Sequence, residues 1–353
     1  MKNYQLFTDN AILYQAMLAD ILLAKKSIYL ETYIYGNDEI GRQFRDALTK
    51  KAQEGVDVKI IIDDFGAEVK EDFFHDLIKA GGKIKFFFKI IYSFKILSKN
   101  NNRNHRKLLI IDENIVYLGS SNIKQKHIAW HEMNIRLQDE VAQYFASVFL
   151  DNFQIAHKHS FLKRFHIAPI RSGLFEIIRD VPSIKFKKIR KRKIELIKQA
   201  KKQILIETPY FLPDKNFRKA LKSAVKRNVE VIIILPKKSD VKMVDLVRNR
   251  YLGLLHKNGI QIYFYDANFL HGKFLVIDDN SFSLGSANIN YRSLYIAFEI
   301  NLFGWDKNII KDLKNIFFED LKKCEIFSYT KWETRPIIQK WVEKLLGKIR
   351  SNM

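Results

Sequence analysis

His105 to Asn122 reads HRKLLIIDENIVYLGSSN, and His271 to Asn288 reads HGKFLVIDDNSFSLGSAN. Both fit one template: a His, a Lys two residues on, an Asp five further, then, after six intervening residues, Gly-Ser-any-Asn. The matched positions are His105, Lys107, Asp112, Gly119, Ser120 and Asn122, and His271, Lys273, Asp278, Gly285, Ser286 and Asn288. At ordinary residue frequencies one copy arises by accident in on the order of one chain in 10^5. Two copies therefore mark an internal duplication, and a duplication constrains the fold before any single element does.

The flanks repeat as well. SIYLETYIY (Ser27 to Tyr35) returns as QILIETPYF (Gln203 to Phe211), which makes Glu31-Thr32 and Glu207-Thr208 equivalent. GVDVKIII before Asp63 returns as NVEVIIIL (Asn228 to Leu235), Phe44 to Ala52 as Phe217 to Val225, and Gly81 to Phe87 as Gly259 to Tyr265. Within the first copy, helical spacing runs from Asn10 to Ala24, and Asp38 caps a helix that stops at Gly55. A third helix lies near Asp72 to Lys79 and a fourth from Glu140 to about Ile155. Strands are expected over Ser27 to Tyr35, Val56 to Ile62, Ile84 to Phe88 and Met133 to Leu137. Strand–helix alternation predicts a layered α/β fold with parallel strands. The expected units are a lobe over 1–160, a second over 161–330, and a tail over 331–353. An approximate twofold axis between the lobes would bring both motifs into one cleft.

Composition narrows the partner. Hydrophobic residues make up 47% of the 353, enough for a sizeable core, which excludes a disordered chain. The formal charge of +22 favours an anionic partner, nucleic acid or an anionic membrane face, against a general basic bias of a Lys-, Ile- and Asn-rich proteome. Cys324 stands alone, so no internal disulfide forms and a thiolate metal site is disfavoured. Polar and acidic breaks in the first residues do not suit a signal peptide. No stretch reaches the ~20 apolar residues of a membrane span, so any membrane contact is expected to be peripheral, on the cytoplasmic face.

Four segments stand outside the repeat. FFFKIIYSFKIL (Phe86 to Leu97) suits either a plain strand and loop or a surface element between lipid tails and anionic headgroups. His157 to Pro182 reads as the crossover between halves; its HKHS is a solvated turn, with no third ligand nearby for a metal. Lys185 to Arg192 is a basic run leading into a helix, either a solvated face or a surface that meets phosphates. In PIIQKWVEKLLGKI (Pro336 to Ile349), Ile337, Ile338, Trp341, Val342, Leu345, Leu346 and Ile349 share one face, opposite Gln339, Lys340, Lys344 and Lys348. Such a helix packs on its own domain or lies in a membrane interface.

The motif chemistry points to a phosphodiester. On a strand, residues i and i+2 share a face, so His105 with Lys107, and His271 with Lys273, would enter the cleft together. Asn122 and Asn288 would join them, with Gly119 and Gly285 allowing tight backbone turns. Ammonium and amide donors so arranged stabilise charge spread over phosphoryl oxygens. Two imidazoles divide the remaining work: one attacks phosphorus to give a phosphohistidine, the other protonates the leaving alkoxide and later deprotonates the acceptor. A carboxylate on the far ring nitrogen would fix the tautomer; Glu132 and Glu299, each following its motif by a similar interval, are the candidates. No metal or other cofactor is required.

At these residues the chain resembles the phospholipase D superfamily, whose signature is the duplicated His-Lys-Asp motif. Its flanks are most similar to bacterial cardiolipin synthases: ETYIYGNDEIGRQFRDAL, RNHRKLLIID, IETPYFLPD, FLHGKFLVIDD, GSANINYRS and FEINLF. The resemblance implies two fused α/β/α-sandwich lobes around a shared cleft, His105 as nucleophile and His271 as acid/base, with Asp112 and Asp278 as internal salt-bridge partners. Gly119-Ser120 stands where many of these enzymes carry Gly-Gly, and His131-Glu132 where an Arg-Asp pair is common. The hydrophobic amino-terminal anchors of many relatives have no counterpart, which makes the short, peripheral kind the comparison. The implied function is a phosphatidyltransferase acting on an anionic phospholipid such as phosphatidylglycerol at a membrane surface. The alternatives are a metal-independent phosphodiesterase of the same superfamily, either a phospholipase D hydrolase or a nuclease with nucleic acid as partner, and a non-enzymatic membrane scaffold.

Overall fold

The computed structural model describes residues 3–87, 103–156, 168–182 and 187–346. The expected loop after Phe87, the HKHS turn and the last residues of the tail lie outside these. The first half runs β1 (Tyr4–Asp9), α1 (Asn10–Leu23), β2 (Ser27–Thr32), α2 (Glu39–Gln53), β3 (Asp57–Asp63), α3 (His75–Lys79), β4 (Lys83–Phe87), β5 (Arg103–Asn104), β6 (Leu108–Ile111), β7 (Ile115–Gly119), β8 (Trp130–Gln138) and α4 (Val141–Ile155). The second runs β9 (Ile170–Ser172), β10 (Phe175–Asp180), α5 (Lys188–Gln199), β11 (Gln203–Glu207), α6 (Lys215–Lys226), β12 (Glu230–Pro236), α7 (Lys242–His256), β13 (Gln261–Tyr265), β14 (Phe269–Leu270), β15 (Phe274–Ile277), β16 (Ser281–Gly285), α8 (Tyr291–Tyr295), β17 (Ala297–Gly304) and α9 (Lys307–Leu321). β18 (Cys324–Ile326), α10 (Tyr329–Glu333) and α11 (Ile337–Leu346) complete it.

The two sheets have the same plan. The first orders its strands β1-β8-β7-β6-β2-β3-β4, and the second β10-β17-β16-β15-β11-β12-β13, with β9 and β18 added at its edges. Every position in one order has its sequence equivalent in the other, as the duplication requires. The sheets are mixed rather than parallel. β2, β3 and β4 pair in parallel through helical crossovers, whereas β6, β7 and β8 are antiparallel. The motif itself causes this: Asp112 and Glu113, at φ 54° and 55°, turn β6 straight back into β7 as a hairpin. β1 had no sequence signal beyond a short alternation, and pairs at the sheet edge with β8.

Helix starts follow local chemistry. The Asp9 carboxylate accepts the N–H groups of Ala11 and Ile12, and Asp38, Asp214 and Asp306 cap α2, α6 and α9 in the same way. α1, α2 and α3 cover the outer face of the first sheet around Phe44, Leu48 and Phe74, while α5, α6 and α7 cover that of the second around Phe217, Leu221 and Leu252. Between the sheets lies one shared core, in which Phe145 and Phe149 of α4 join Leu313 and Phe317 of α9. This is the two-lobed α/β architecture that the sequence predicts. Two arginines of the basic run at the start of α5 are paired internally, Arg190 with Asp214 and Arg192 with Glu176, while Lys191 stays exposed; Lys193, just beyond the run, donates to the Ala287 carbonyl.

Candidate active site

Strand exchange between the lobes builds the site. β5, just before His105, pairs in parallel with β17 of the other lobe, Arg103 facing Ala297 and Asn104 facing Phe298. The His105 N–H then donates to the Phe298 carbonyl at 3.0 Å. β14, just before His271, repeats this on β8: Phe269 faces Trp130, Leu270 faces His131, and the His271 N–H donates to the His131 carbonyl at 2.7 Å. Residues 105–107 and 271–273 lie between strands, not on one as the i, i+2 spacing suggests. The N–H groups of His105, His271 and Gly272 turn to the opposite lobe instead of continuing the ladder.

The exchange carries each imidazole to a carboxylate of the other lobe. His105 Nδ1 lies 3.1 and 3.2 Å from the Glu299 oxygens, and His271 Nδ1 lies 2.9 and 2.8 Å from those of Glu132. Sequence order suggests no such crossing. The motif serines stand behind the carboxylates: Ser286 Oγ donates to Glu299, and Ser120 Oγ, which accepts the Met133 N–H at 2.9 Å, also bonds Glu132. Each motif Ser thus steadies the Glu of its own lobe, which steadies the His of the other. Gly119 serves space, since an added Cβ would stand 2.2 Å from Asn134 Oδ1, whereas Gly285 serves both space and backbone, with φ at 156° and an added Cβ 2.4 Å from the Ile300 carbonyl.

Lys107 Nζ donates to the His105 carbonyl at 2.7 Å, and Lys273 Nζ to the His271 carbonyl at 2.8 Å. Lys273 Nζ also lies 3.0 Å from His271 Nε2. Asn122 and Asn288 line the same cavity as the two histidines. Asn122 Oδ1 accepts the Ile34 N–H at 3.0 Å, while Asn288 Oδ1 has no partner among the described residues.

Asp112 and Asp278 are not brought to the cleft. Asp112 accepts the N–H groups of Lys25, Lys26 and Ser27, and Asp278 those of Lys201, Lys202 and Gln203. The expected salt bridges are therefore backbone clamps, which pin each motif hairpin to the start of β2 or β11.

The cavity between the motifs holds about 370 Å³. Its wall includes residues that motif reading missed: Tyr33, whose ring centre is 5.3 Å from that of His105, Trp130 at 5.2 Å from His271, and the guanidinium of Arg103. Arg103 is buried over the Phe65 ring, and its Nε and one NH group lack hydrogen-bond partners among the described residues. Its only sequence signal is its place two residues before the motif.

Burial sets the protonation states. It lowers His105 to about 4, with Lys107 adding to the effect and Glu299 opposing it. It lowers Lys107 to about 7 and Lys273 to about 8, and Lys107 is further depressed by Lys273. Burial alone would raise Glu132, but His271 and Lys273 outweigh it and hold the carboxyl at about 2. Glu299 is likewise held below the usual carboxylate range, burial being outweighed by His105 and Lys107. The result is two ionised carboxylates facing two imidazoles, with two ammonium groups whose protons are loosely held.

Comparison with known proteins shows the family. A family model described as "Cardiolipin synthase, PLD-like domain" matches residues 17–153 and 194–321. The chain is 36% identical to the major cardiolipin synthase ClsA of Bacillus subtilis, over 99% of this chain and 77% of that protein. It is 34% identical to a cardiolipin synthase of Clostridium perfringens, over 97% and 75%. Among solved structures, a phosphatidylserine synthase of Haemophilus influenzae superimposes with a TM-score of 0.77 over 100% of this chain and 96% of that one, at 14% identity, a likeness of fold. The chain belongs to the phospholipase D-like family of cardiolipin synthases.

Proposed function

We propose that the protein is a phosphatidyltransferase that takes a phosphatidyl group from phosphatidylglycerol and passes it to an alcohol, such as the glycerol headgroup of a second phosphatidylglycerol. The observation that carries this reading is the crossed pair of carboxylate-anchored imidazoles at one cavity. His105 Nε2 attacks phosphorus, forming the N–P bond as the P–O bond to glycerol breaks, and His271 protonates the departing alkoxide. His271 then takes the proton of the acceptor hydroxyl, whose oxygen attacks phosphorus and breaks the N–P bond, giving cardiolipin and free glycerol. Lys107, Lys273, Asn122 and Asn288 meet the phosphoryl oxygens.

Two differences between the motifs support this order. The His105 side chain is 17% exposed against 6% for His271, and so is the more accessible to substrate. His271 Nε2 already faces Lys273 Nζ, and the proton held between them is where an alkoxide finds one. A lipid substrate is favoured by the cavity rim, where Phe65, Val241 and Met243 remain 60%, 40% and 48% exposed. No described helix is long and apolar enough to cross a membrane. α11 supports a peripheral contact instead: Ile337, Ile338, Trp341 and Leu345 face solvent, while Glu343 is the residue it buries, clamped by Arg335. With Lys340 and Lys344 beside them, these side chains suit the interface of an anionic bilayer. Purified protein incubated with labelled phosphatidylglycerol should release cardiolipin and glycerol, and His105→Ala should release neither. Neither cardiolipin nor phosphatidic acid from the wild type would overturn the reading, and DNA cleavage in chelator, lost in His105→Ala, would replace it with a nuclease.

A further inference from the structure

Glu31 and Glu207 are equivalent in the duplication, each facing the first residue of the motif strand across the sheet: Glu31 opposite Leu108 and Glu207 opposite Phe274. Both are wholly buried, but their surroundings differ. Glu31 Oε1 accepts Asn104 Nδ2 at 2.6 Å and Asn152 Nδ2, and the Arg106 guanidinium supplies the nearby positive charge. In the second lobe the position of Arg106 is Gly272, where even a Cβ would stand 2.2 Å from Glu207 Oε1. Neither oxygen of Glu207 has a hydrogen-bond partner among the described residues. Around it stand His131, at the position of Phe298 in the other lobe, and Asp320 of α9. One ligand atom from each of His131, Glu207 and Asp320 lies within 4.8 Å of the others. His131 Nε2 is 2.7 Å from Asp320 Oδ2.

An unpartnered buried carboxylate is costly, and a second carboxylate beside it more so. The positive groups nearby do not answer both. Lys273 is engaged with His271, and Lys323, 3.4 Å from Asp320 Oδ1, is half-exposed. Tyr265 stacks on His131, its ring centre 5.2 Å away, and Cys324 Sγ donates to the Asp320 carbonyl at 3.1 Å, so neither supplies a cation. We propose that His131, Glu207 and Asp320 bind one divalent cation, in a site separate from the catalytic cavity. One imidazole and two carboxylates suit zinc or a similar borderline ion. The cation does in the second lobe what Arg106 does in the first. It also braces the strand whose His131 carbonyl holds the N–H groups of His271 and Gly272.

The test uses full-length protein without a polyhistidine tag, equilibrated with zinc chloride, freed of loose metal by gel filtration and assayed by elemental mass spectrometry. About one zinc per chain is expected, with a melting temperature that rises on zinc addition and falls with chelator. Glu207→Gln, Asp320→Asn and His131→Gln should each hold at least tenfold less, as judged on variants with wild-type circular dichroism, while His105→Ala keeps its metal. Cobalt in place of zinc should show ligand-field absorption in the wild type and not in Glu207→Gln. Two results would overturn the proposal. One is a wild type with under a tenth of a zinc per chain and an unmoved melting temperature, which would leave protons to neutralise the pair. The other is zinc retained by all three variants, which would place it elsewhere.

Discussion

Glu299→Gln tests the crossed pairing most directly. In the wild type both Glu299 oxygens lie within 3.2 Å of His105 Nδ1, and the residue is fully buried, so solvent cannot replace the contact. A hydrogen bond to a charged group contributes about 1.5–3 kcal/mol, which is roughly 10–150-fold in rate at 1.36 kcal/mol per decade. The tautomer adds to this. With glutamine the ring is no longer held with its proton on Nδ1, and in a Ser-His-Asp triad the comparable change costs about 10^4. The expected loss in kcat is therefore about 10^2–10^4-fold, with KM moving by about threefold or less. Because Glu299 raises the His105 pKa from below, its removal should also shift the acid limb of kcat/KM, expected near 4, to lower pH. Leaving-group dependence separates the two carboxylates. On a p-nitrophenyl phosphodiester, whose leaving group needs no proton, Glu132→Gln should recover much of its loss in kcat/KM, which ends at p-nitrophenol release and so spares the acid role of His271, whereas Glu299→Gln should stay impaired. Retention of a third of wild-type activity by Glu299→Gln, an unmoved acid limb, or recovery of Glu299→Gln instead of Glu132→Gln would refute the reasoning.

The ammonium groups of Lys107 and Lys273 are present below about 7 and 8 and lost above, so kcat/KM should fall as pH rises through that range; an alkaline limb beyond pH 10 would count against their role at the phosphate. Stability should move the other way. Lys107, Lys187, Lys193 and Lys273 are all lowered by burial, so between pH 7 and 9 the unfolded chain binds more protons than the folded one. The melting temperature is then expected to be higher at pH 9 than at pH 7. Asp278→Asn removes the charge that three backbone N–H groups share and should destabilise the fold by about 1–3 kcal/mol, read by denaturant titration, with kcat within twofold of wild type. A large loss of kcat in a stably folded Asp278→Asn would return that residue to the chemistry.

The duplicated template made the paired lobes and the gathering of His105, His271, Asn122 and Asn288 legible, because each motif residue recurs at a fixed interval. What escaped was set by contacts that leave no period in the chain. β5 and β14 are two residues each, too short for an alternation, yet they fix which carboxylate meets which imidazole across 194 and 139 positions of sequence. The i, i+2 rule failed at His105 and Lys107 for the same reason: the backbone bond of His105 to Phe298 in the other lobe took the place of the ladder it assumes. The basic run at Arg190 and Arg192 looked available to phosphates because Asp214 and Glu176, its actual partners, are distant or belong to another strand. In α11 the period was read correctly but the side was not determined. Arg335, itself held against Trp332, clamps Glu343 on the buried side of α11, and the isoleucines and Trp341 face outward.

Strand exchange also explains how two equal motifs take unequal parts. A lobe on its own would carry a His without its carboxylate and a Glu without its imidazole, so the reacting unit is the pair, and the equivalence of the copies is free to decay wherever the pair survives. Decay is visible at the second motif position. Arg106 donates to the Glu299 and Asp180 carbonyls and sets a positive charge near Glu31, locking the first motif from behind. Gly272 can do neither, and the space it leaves is taken up by Glu207. The first imidazole is thereby held by covalently attached charge with its Nε2 open to the cavity. The second sits deeper, with an ammonium on its Nε2, in the setting of a group that passes protons rather than one that attacks.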